Sequence, residues 1–173
     1  MSLQELADSL PDFARDLRLN LSSLLNDETL PDQRKYGLLL ACAHGTGYRP
    51  IVDAAEADAG ARLTGPAADA ARAAAAIMAM TNVYYRFVHL ASNQDYARMP
   101  SKLRMNILGS AGIDRVDFEL FGLAVSAMNG CGLCVDSHEK FVRDHGVDAE
   151  TVQAAVRIAA VVRAVAAVHA ATA

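Results

Sequence analysis

The stretch DRVDFELFGLAVSAMNGCGLCVDSHEKFVRDHG, residues 114–146, decides the fold. Asp114 is a helix-capping residue ahead of a long apolar run, so it opens a helix expected to last to about Asn129. Gly130 follows, Cys131 begins a second helix that reaches Asp144, and Gly146 stands where that helix needs its C′ residue. Two helices on a short turn, with no alternating apolar–polar strand pattern, predict an all-α chain.

The same punctuation extends in both directions. Asp148, with Thr151 behind it, opens a last helix. Upstream, Ser2 and Glu5 fit a capping box for a short helix that Pro11 interrupts or restarts. Phe13, Leu17 and Leu21 continue an apolar face to about Leu25, and Asp27 to Leu30 is a break. Pro31 can serve as first residue of a helix running to about His44, where Gly45-Thr46-Gly47 stops it. Pro50 starts the next helix, which should end near Leu63-Thr64-Gly65, and Pro66 starts another. Residues 67–90 are apolar on nearly every side through Ala73–Tyr85, the pattern of a central buried helix. Ser92 to Pro100 reads as a loop, and a short helix is expected around Lys102–Leu108.

An internal repeat shows at an offset of 83 residues: Ile51-Val-Asp-Ala-Ala-Glu56 lies over Cys134-Val-Asp-Ser-His-Glu139, and Gly47 falls on Gly130. It predicts a single domain, residues 1–173, of two similar helical halves at roughly 30–90 and 114–172. Only the second half carries chemistry. Where it has Glu119, Cys131, Cys134 and His138, the first half has Tyr36, Tyr48, Ile51 and Ala55.

Composition narrows the function. The chain has 173 residues, is 53% hydrophobic and 21% charged, and lacks tryptophan. Its net charge of −4 comes without any run of Lys or Arg, which argues against nucleic acid as a partner. The start Met-Ser-Leu-Gln-Glu-Leu has neither a basic region nor an apolar core for a signal peptide, and Ala73–Tyr85 is too short to span a bilayer. A soluble cytoplasmic protein with no membrane partner is expected, and three cysteines in such a reducing compartment do not make a disulfide scaffold.

Cys131-Gly-Leu-Cys134 can close a small disulfide ring and reopen it, a two-electron exchange that needs no tightly bound cofactor. Near a helix N-terminus, free N–H groups and the helix dipole stabilise a thiolate. His138 follows Cys134 at i+4, so it shares a helix face with that sulfur and can take its proton. Glu119, Gly122, Ser126 and Asn129 form a polar or small stripe at helical spacing. The stripe is either a solvent face or the lining of a cleft in which Glu119 orients His138 or relays protons. The leading chemistry is thiol-based redox, and its rival is a zinc-binding helical interaction module without catalysis. Cys131, Cys134, His138 and Glu119 could hold such an ion, whereas His145 lies roughly 16 Å along the axis from Cys134 and cannot share it. Cys42 reads as a buried small apolar residue, and His44, His89, His145 and His169 read as structural or surface residues. Tyr84, Tyr85 and Arg86 read as packing residues.

The pattern Glu119, Cys131-x-x-Cys134, His138 resembles the alkyl hydroperoxidase D family, part of the carboxymuconolactone decarboxylase-like helical proteins. Segments Asn20–Ser23, Ala75–Met78, Asn82–Arg86, Leu103–Ile107, Phe118–Leu120 and Ala124–Cys131 are also similar to that family. The resemblance implies an all-helical homotrimer with two internal repeats. It implies a peroxidase and disulfide reductase that serves a peroxiredoxin of the alkyl hydroperoxide reductase C type. Electrons would come from dihydrolipoamide, carried on a lipoylated 2-oxoacid dehydrogenase acyltransferase. By position, Cys134 would be the attacking sulfur, Cys131 its resolving and proton-donating partner, His138 the base and Glu119 the proton relay. Several family members have a histidine immediately before the second cysteine; here that position is Leu133, which implies a lower intrinsic peroxidase rate. A lactone decarboxylase on the same fold is a third reading, but that chemistry has no need of a dithiol.

Overall fold

The computed structural model describes residues 1–172, and they are helical with no strand among them. The helices are α1 (Leu3–Asp8), α2 (Arg15–Asn26), α3 (Asp32–Thr46), α4 (Arg49–Gly60), α5 (Gly65–Leu90), α6 (Asp95–Arg98), α7 (Arg115–Asn129), α8 (Gly132–Asp144) and α9 (Ala149–Thr172). Two short 3-10 turns, Asp12–Ala14 and Asn106–Gly109, interrupt the connections.

Local chemistry explains most of these boundaries. The Ser2–Glu5 capping box closes in both directions. Thr64 caps α5 through the Ala67 N–H, and Asp114 caps α7 through the Val116 N–H at 2.7 Å. Helices α3 and α7 end on left-handed glycines, Gly47 (φ 70°) and Gly130 (φ 69°). Pro50 falls inside the first turn of α4, which ends at Gly60, earlier than its expected stop near Leu63–Gly65.

The core is built around α3 and α7, which pack on each other and are flanked by α5 and α9. Lys35 to Ala43 in α3 and Asp117 to Ser126 in α7 are buried without a break. That corrects the sequence expectation for α5. Its buried face is Ala67, Ala70, Ala71, Ala74, Ala75, Met78, Thr81 and Asn82, while Val83, Phe87 and Leu90 are exposed. Alanine counts as apolar but drives little burial, so an alanine-rich run conceals which side faces the core. Phe13 is likewise 78% exposed, because the 3-10 turn points Ala14 inward instead. Among the described residues α9 alone is long and apolar enough to cross a membrane, yet Ala155, Ile158, Val162 and Val165 are buried in the core.

Helices α3 and α7 are both of 15 residues, and Arg34 in α3 donates to Asp117 in α7, 83 positions later, at 2.7 Å. The expected helix at Lys102–Leu108 is absent. Lys102 adopts a left-handed backbone (φ 55°), and only Asn106–Gly109 coils. This irregular segment brings Met105 and Leu108 over α5 and α8.

Candidate functional site

The turn between α7 and α8 places the cysteines. Gly130 N–H bonds to Ala127 O at 3.2 Å and Cys131 N–H to Ser126 O at 3.1 Å, so the chain reverses sharply and Cys131 becomes the N-cap of α8. Cys131 and Cys134 are joined by a disulfide. Their exposures differ in a way that matters: Cys131 is wholly buried, while Cys134 is 7% exposed. Cys134 lines a cavity of about 340 Å³ together with Met78, Thr81, Tyr85, Met105, Leu108, Leu133, Ser137 and His138. The cavity is apolar except for Thr81, Ser137, His138 and the Tyr85 hydroxyl.

Glu119 is not on a solvent face. It is 7% exposed, and its Oε2 lies 2.6 Å from His138 Nδ1. Arg115 Nε donates to the other carboxylate oxygen at 3.4 Å, and the Arg115 guanidinium covers the Phe141 ring. Burial pushes the Glu119 carboxyl up. The hydrogen bond and charge of His138, with those of Arg115, outweigh it and hold the group below its ordinary value. Gly122 allows the imidazole to lie against α7, since a Cβ there would sit 3.0 Å from His138 Cε1. Glu119 and Gly122 therefore back His138, and Ser126 backs Met78, from outside the cavity rather than lining it.

The remaining ring nitrogen, Nε2, lies 3.3 Å from Met78 Sδ. In this oxidised state the two nitrogens face Glu119 and Met78, and Cys134 meets the imidazole only as a neighbour across the shared cavity. Ser126 Oγ donates to Met78 Sδ at 3.3 Å and accepts from Asn82 Nδ2 at 2.9 Å. Asn129 Nδ2 donates to Asn82 Oδ1 at 2.9 Å, and Arg86 donates to Asn129 O at 2.7 Å. This polar chain fastens α5 to the turn that carries Cys131.

None of Met78, Thr81 or Asn82 stands out as chemistry in the sequence. The available signal was Thr81-Asn82, a polar pair inside the apolar run Ala73–Tyr85, because a buried amide must find partners. Tyr85 lines the cavity and Arg86 anchors the turn, so both do more than pack. Three of the four remaining histidines do have partners: His44 with Glu56 at 2.7 Å, His169 with Tyr48 at 2.8 Å, and His145 stacked on Phe141. Cys42 is wholly buried.

Among the described residues no group of three or more His, Cys, Asp or Glu side chains is arranged to hold a metal ion. The four residues considered for zinc are otherwise engaged, the cysteines with each other and Glu119 with His138. Dithiol exchange is the chemistry this arrangement can perform: a disulfide with one sulfur open to a cavity, beside an imidazole and a buried carboxylate.

Residues 94–173 match the Carboxymuconolactone decarboxylase family. A protein of Rhizorhabdus wittichii named alkyl hydroperoxide reductase AhpD is 68% identical over 170 residues, 98% of each chain. Proteins of the same name from Maricaulis maris (57% identical; 99% of each chain) and a Bradyrhizobium species (57%; 96% of this chain, 92% of the other) are similar throughout. Matched end to end at these identities, the chain belongs to the alkyl hydroperoxide reductase AhpD family.

Proposed function

We propose that this protein is a cytoplasmic antioxidant oxidoreductase that reduces alkyl hydroperoxides, and the oxidised cysteines of a partner peroxiredoxin, with electrons from dihydrolipoamide. The observation that carries the reading is the asymmetry of the cysteine pair: Cys134 opens to the cavity shared with His138, and Cys131 is buried behind it. The names of the relatives support the peroxide half of the reading.

In the peroxidase direction the Cys134 thiolate attacks the distal oxygen of a hydroperoxide. The O–O bond breaks, Cys134 becomes a sulfenic acid and the alkoxide leaves as alcohol, protonated by Cys131 or by His138. The Cys131 thiolate then attacks the Cys134 sulfur, expelling water and closing the disulfide. In the reductive direction a thiolate of dihydrolipoamide attacks Cys134, the sulfur it can reach, and Cys131 leaves as a thiolate at the N-terminus of α8. The second lipoyl thiol displaces Cys134 and closes the lipoyl ring; two electrons and two protons have moved to the protein. His138 acts as the base beside Cys134, and Glu119 orients it and relays its proton.

A lipoylated 2-oxoacid dehydrogenase acyltransferase is the proposed electron source, and no tightly bound cofactor is needed. We also propose one domain of two repeated halves, near 30–90 and 114–172, supported by the equal lengths of α3 and α7 and by the Arg34–Asp117 pair. A homotrimer that covers the exposed Val83, Phe87 and Leu90 accounts for that apolar face, and sedimentation tests it. The central assignment is tested by trapping: a mixed disulfide with the peroxiredoxin or lipoyl protein should accumulate in Cys131→Ser and be absent in Cys134→Ser. The reverse pattern overturns the assignment of the attacking sulfur.

A further inference from the structure

The cavity wall contributed by α5 holds a thioether for which the exchange steps above have no use. Met78 Sδ has four hydrogen-bond donors around it. His138 Nε2 and Ser126 Oγ are at 3.3 Å, and Thr81 Oγ1 and Asn82 Nδ2 are at 3.7 Å. The two more distant donors have better acceptors: Thr81 gives its hydrogen to Ile77 O at 2.9 Å, and Asn82 donates to Ser126 Oγ at 2.9 Å. Because Asn82 occupies the Ser126 oxygen, the Ser126 hydroxyl is left to donate onward. A thioether sulfur accepts weakly and has no hydrogen of its own. Ser126 and His138 are its two nearer partners at 3.3 Å, with the second N–H of Asn82 farther off at 3.7 Å.

The other side of the ring meets the Glu119 carboxylate. The ionisable groups facing this imidazole are Glu119 on α7 with Arg115 behind it, Cys134 on its own helix, and Tyr85 from α5 across the cavity. Met78 is the neighbour that carries no charge at any pH.

We infer that Met78 is a positioning residue for the dithiol reaction: its sulfur accepts a hydrogen bond from His138 Nε2 while the disulfide is closed, holding the ring's tilt and keeping a hydrogen on the nitrogen that faces the cavity. The inference rests on the dithiol reading above. The weakness of the acceptor is its use. A carbonyl or carboxylate at this place would hold the Nε2 hydrogen firmly, whereas a thioether releases it when a Cys134 thiolate, a far stronger acceptor, is set free beside it. The ring then turns from one sulfur to the other at little cost.

The test compares Met78→Leu, which keeps the volume and removes the acceptor, with Met78→Gln, which returns an oxygen acceptor at similar length. Turnover with dihydrolipoamide is followed across the neutral pH range, and nitrogen NMR of His138 is recorded on the oxidised protein. Met78→Leu should lower kcat about tenfold with KM for dihydrolipoamide within about twofold, the scale found when an orienting partner of a functional histidine is lost. Its pH profile should change shape, its Nε2 resonance should move toward that of a ring nitrogen without hydrogen, and Met78→Gln should recover most of the rate. A Met78→Leu protein with the wild-type profile and resonance overturns the inference, as does a Gln variant as slow as the Leu variant. Should Met78→Leu not fold, the wild-type spectrum decides, since an Nε2 without hydrogen in the oxidised protein is incompatible with the proposed bond. If dihydrolipoamide fails to reduce the wild-type disulfide, the dithiol reading fails instead, and the resonance still reports on Met78 by itself.

Discussion

Replacing Gly122 by alanine separates the site from the scaffold. In α7 the change favours the helix by up to about 1 kcal/mol. Its new methyl would lie 3.0 Å from His138 Cε1 and 3.1 Å from Nε2, where carbon atoms at rest prefer roughly 3.5 Å or more. The imidazole must therefore retreat by about 0.5 Å. It cannot do so freely, because Glu119 holds Nδ1 at 2.6 Å and Met78 Sδ stands against Nε2 at 3.3 Å. Taking a hundredfold loss per ångström of misplacement as the scale, turnover should fall roughly tenfold. Stability should change by less than about 1 kcal/mol, since the helix gain and the crowding oppose each other. Steady-state reduction of an alkyl hydroperoxide by dihydrolipoamide, run beside urea unfolding, reads both quantities. Wild-type turnover with unchanged or improved stability would refute the idea that the ring must lie against α7.

Glu119 supplies a pH test. Its carboxyl is held below the ordinary value of 4.5 in the folded protein, so the unfolded chain binds that proton more tightly. The resulting stabilisation is present above about pH 4.5 and is lost as the pH falls through the folded-state value. Urea midpoints should fall with acid in the wild type and fall less steeply in Glu119→Gln, which should also be slower in turnover at neutral pH; parallel acid curves would count against the buried pair. Cys42 is pushed up to about 12 by complete burial, so alkylation of reduced native protein at mildly alkaline pH should modify Cys131 and Cys134 and spare Cys42. Peptide mapping that finds Cys42 labelled at a similar rate contradicts that. Gly37→Ala would drive a methyl to within 2.2 Å of the buried Phe121 ring and should cost about 2 kcal/mol or more by urea unfolding, with the thiol chemistry of the folded fraction retained.

The all-α class and most helix limits were legible because they depend on local chemistry: Ser2, Pro66 and Asp114 at helix starts, and Gly47, Gly130 and Gly146 after helix ends. Burial was less legible. The run Ala73–Tyr85 reads as buried all round, but the helices enclosed on every side are α3 and α7, where larger side chains such as Leu38, Leu40, Phe118 and Phe121 drive the packing. At the site, the closeness of Glu119 to His138 could be anticipated because both residue types and the helical spacing sit in one stretch of chain. The wall facing them could not. Met78 and Asn82 come from a helix 44 to 60 positions away from Ser126 and His138, and no local pattern encodes that docking. Nor does any local pattern encode the left-handed Lys102, which turns an expected helix into an irregular cover.

That division of labour has a consequence for how the protein matures. The ring between Cys131 and Cys134 spans three positions and can close in a chain that has not folded. The surroundings that would make it selective arrive only when α5 docks on α7 and α8. A nascent or partly unfolded chain can therefore carry an oxidised pair without the means to choose what reduces it, and any small thiol would serve. Whatever selectivity the pair has belongs to the finished tertiary structure. A peptide spanning residues 114–146 transplanted into another helical scaffold would keep the disulfide and lose the discrimination.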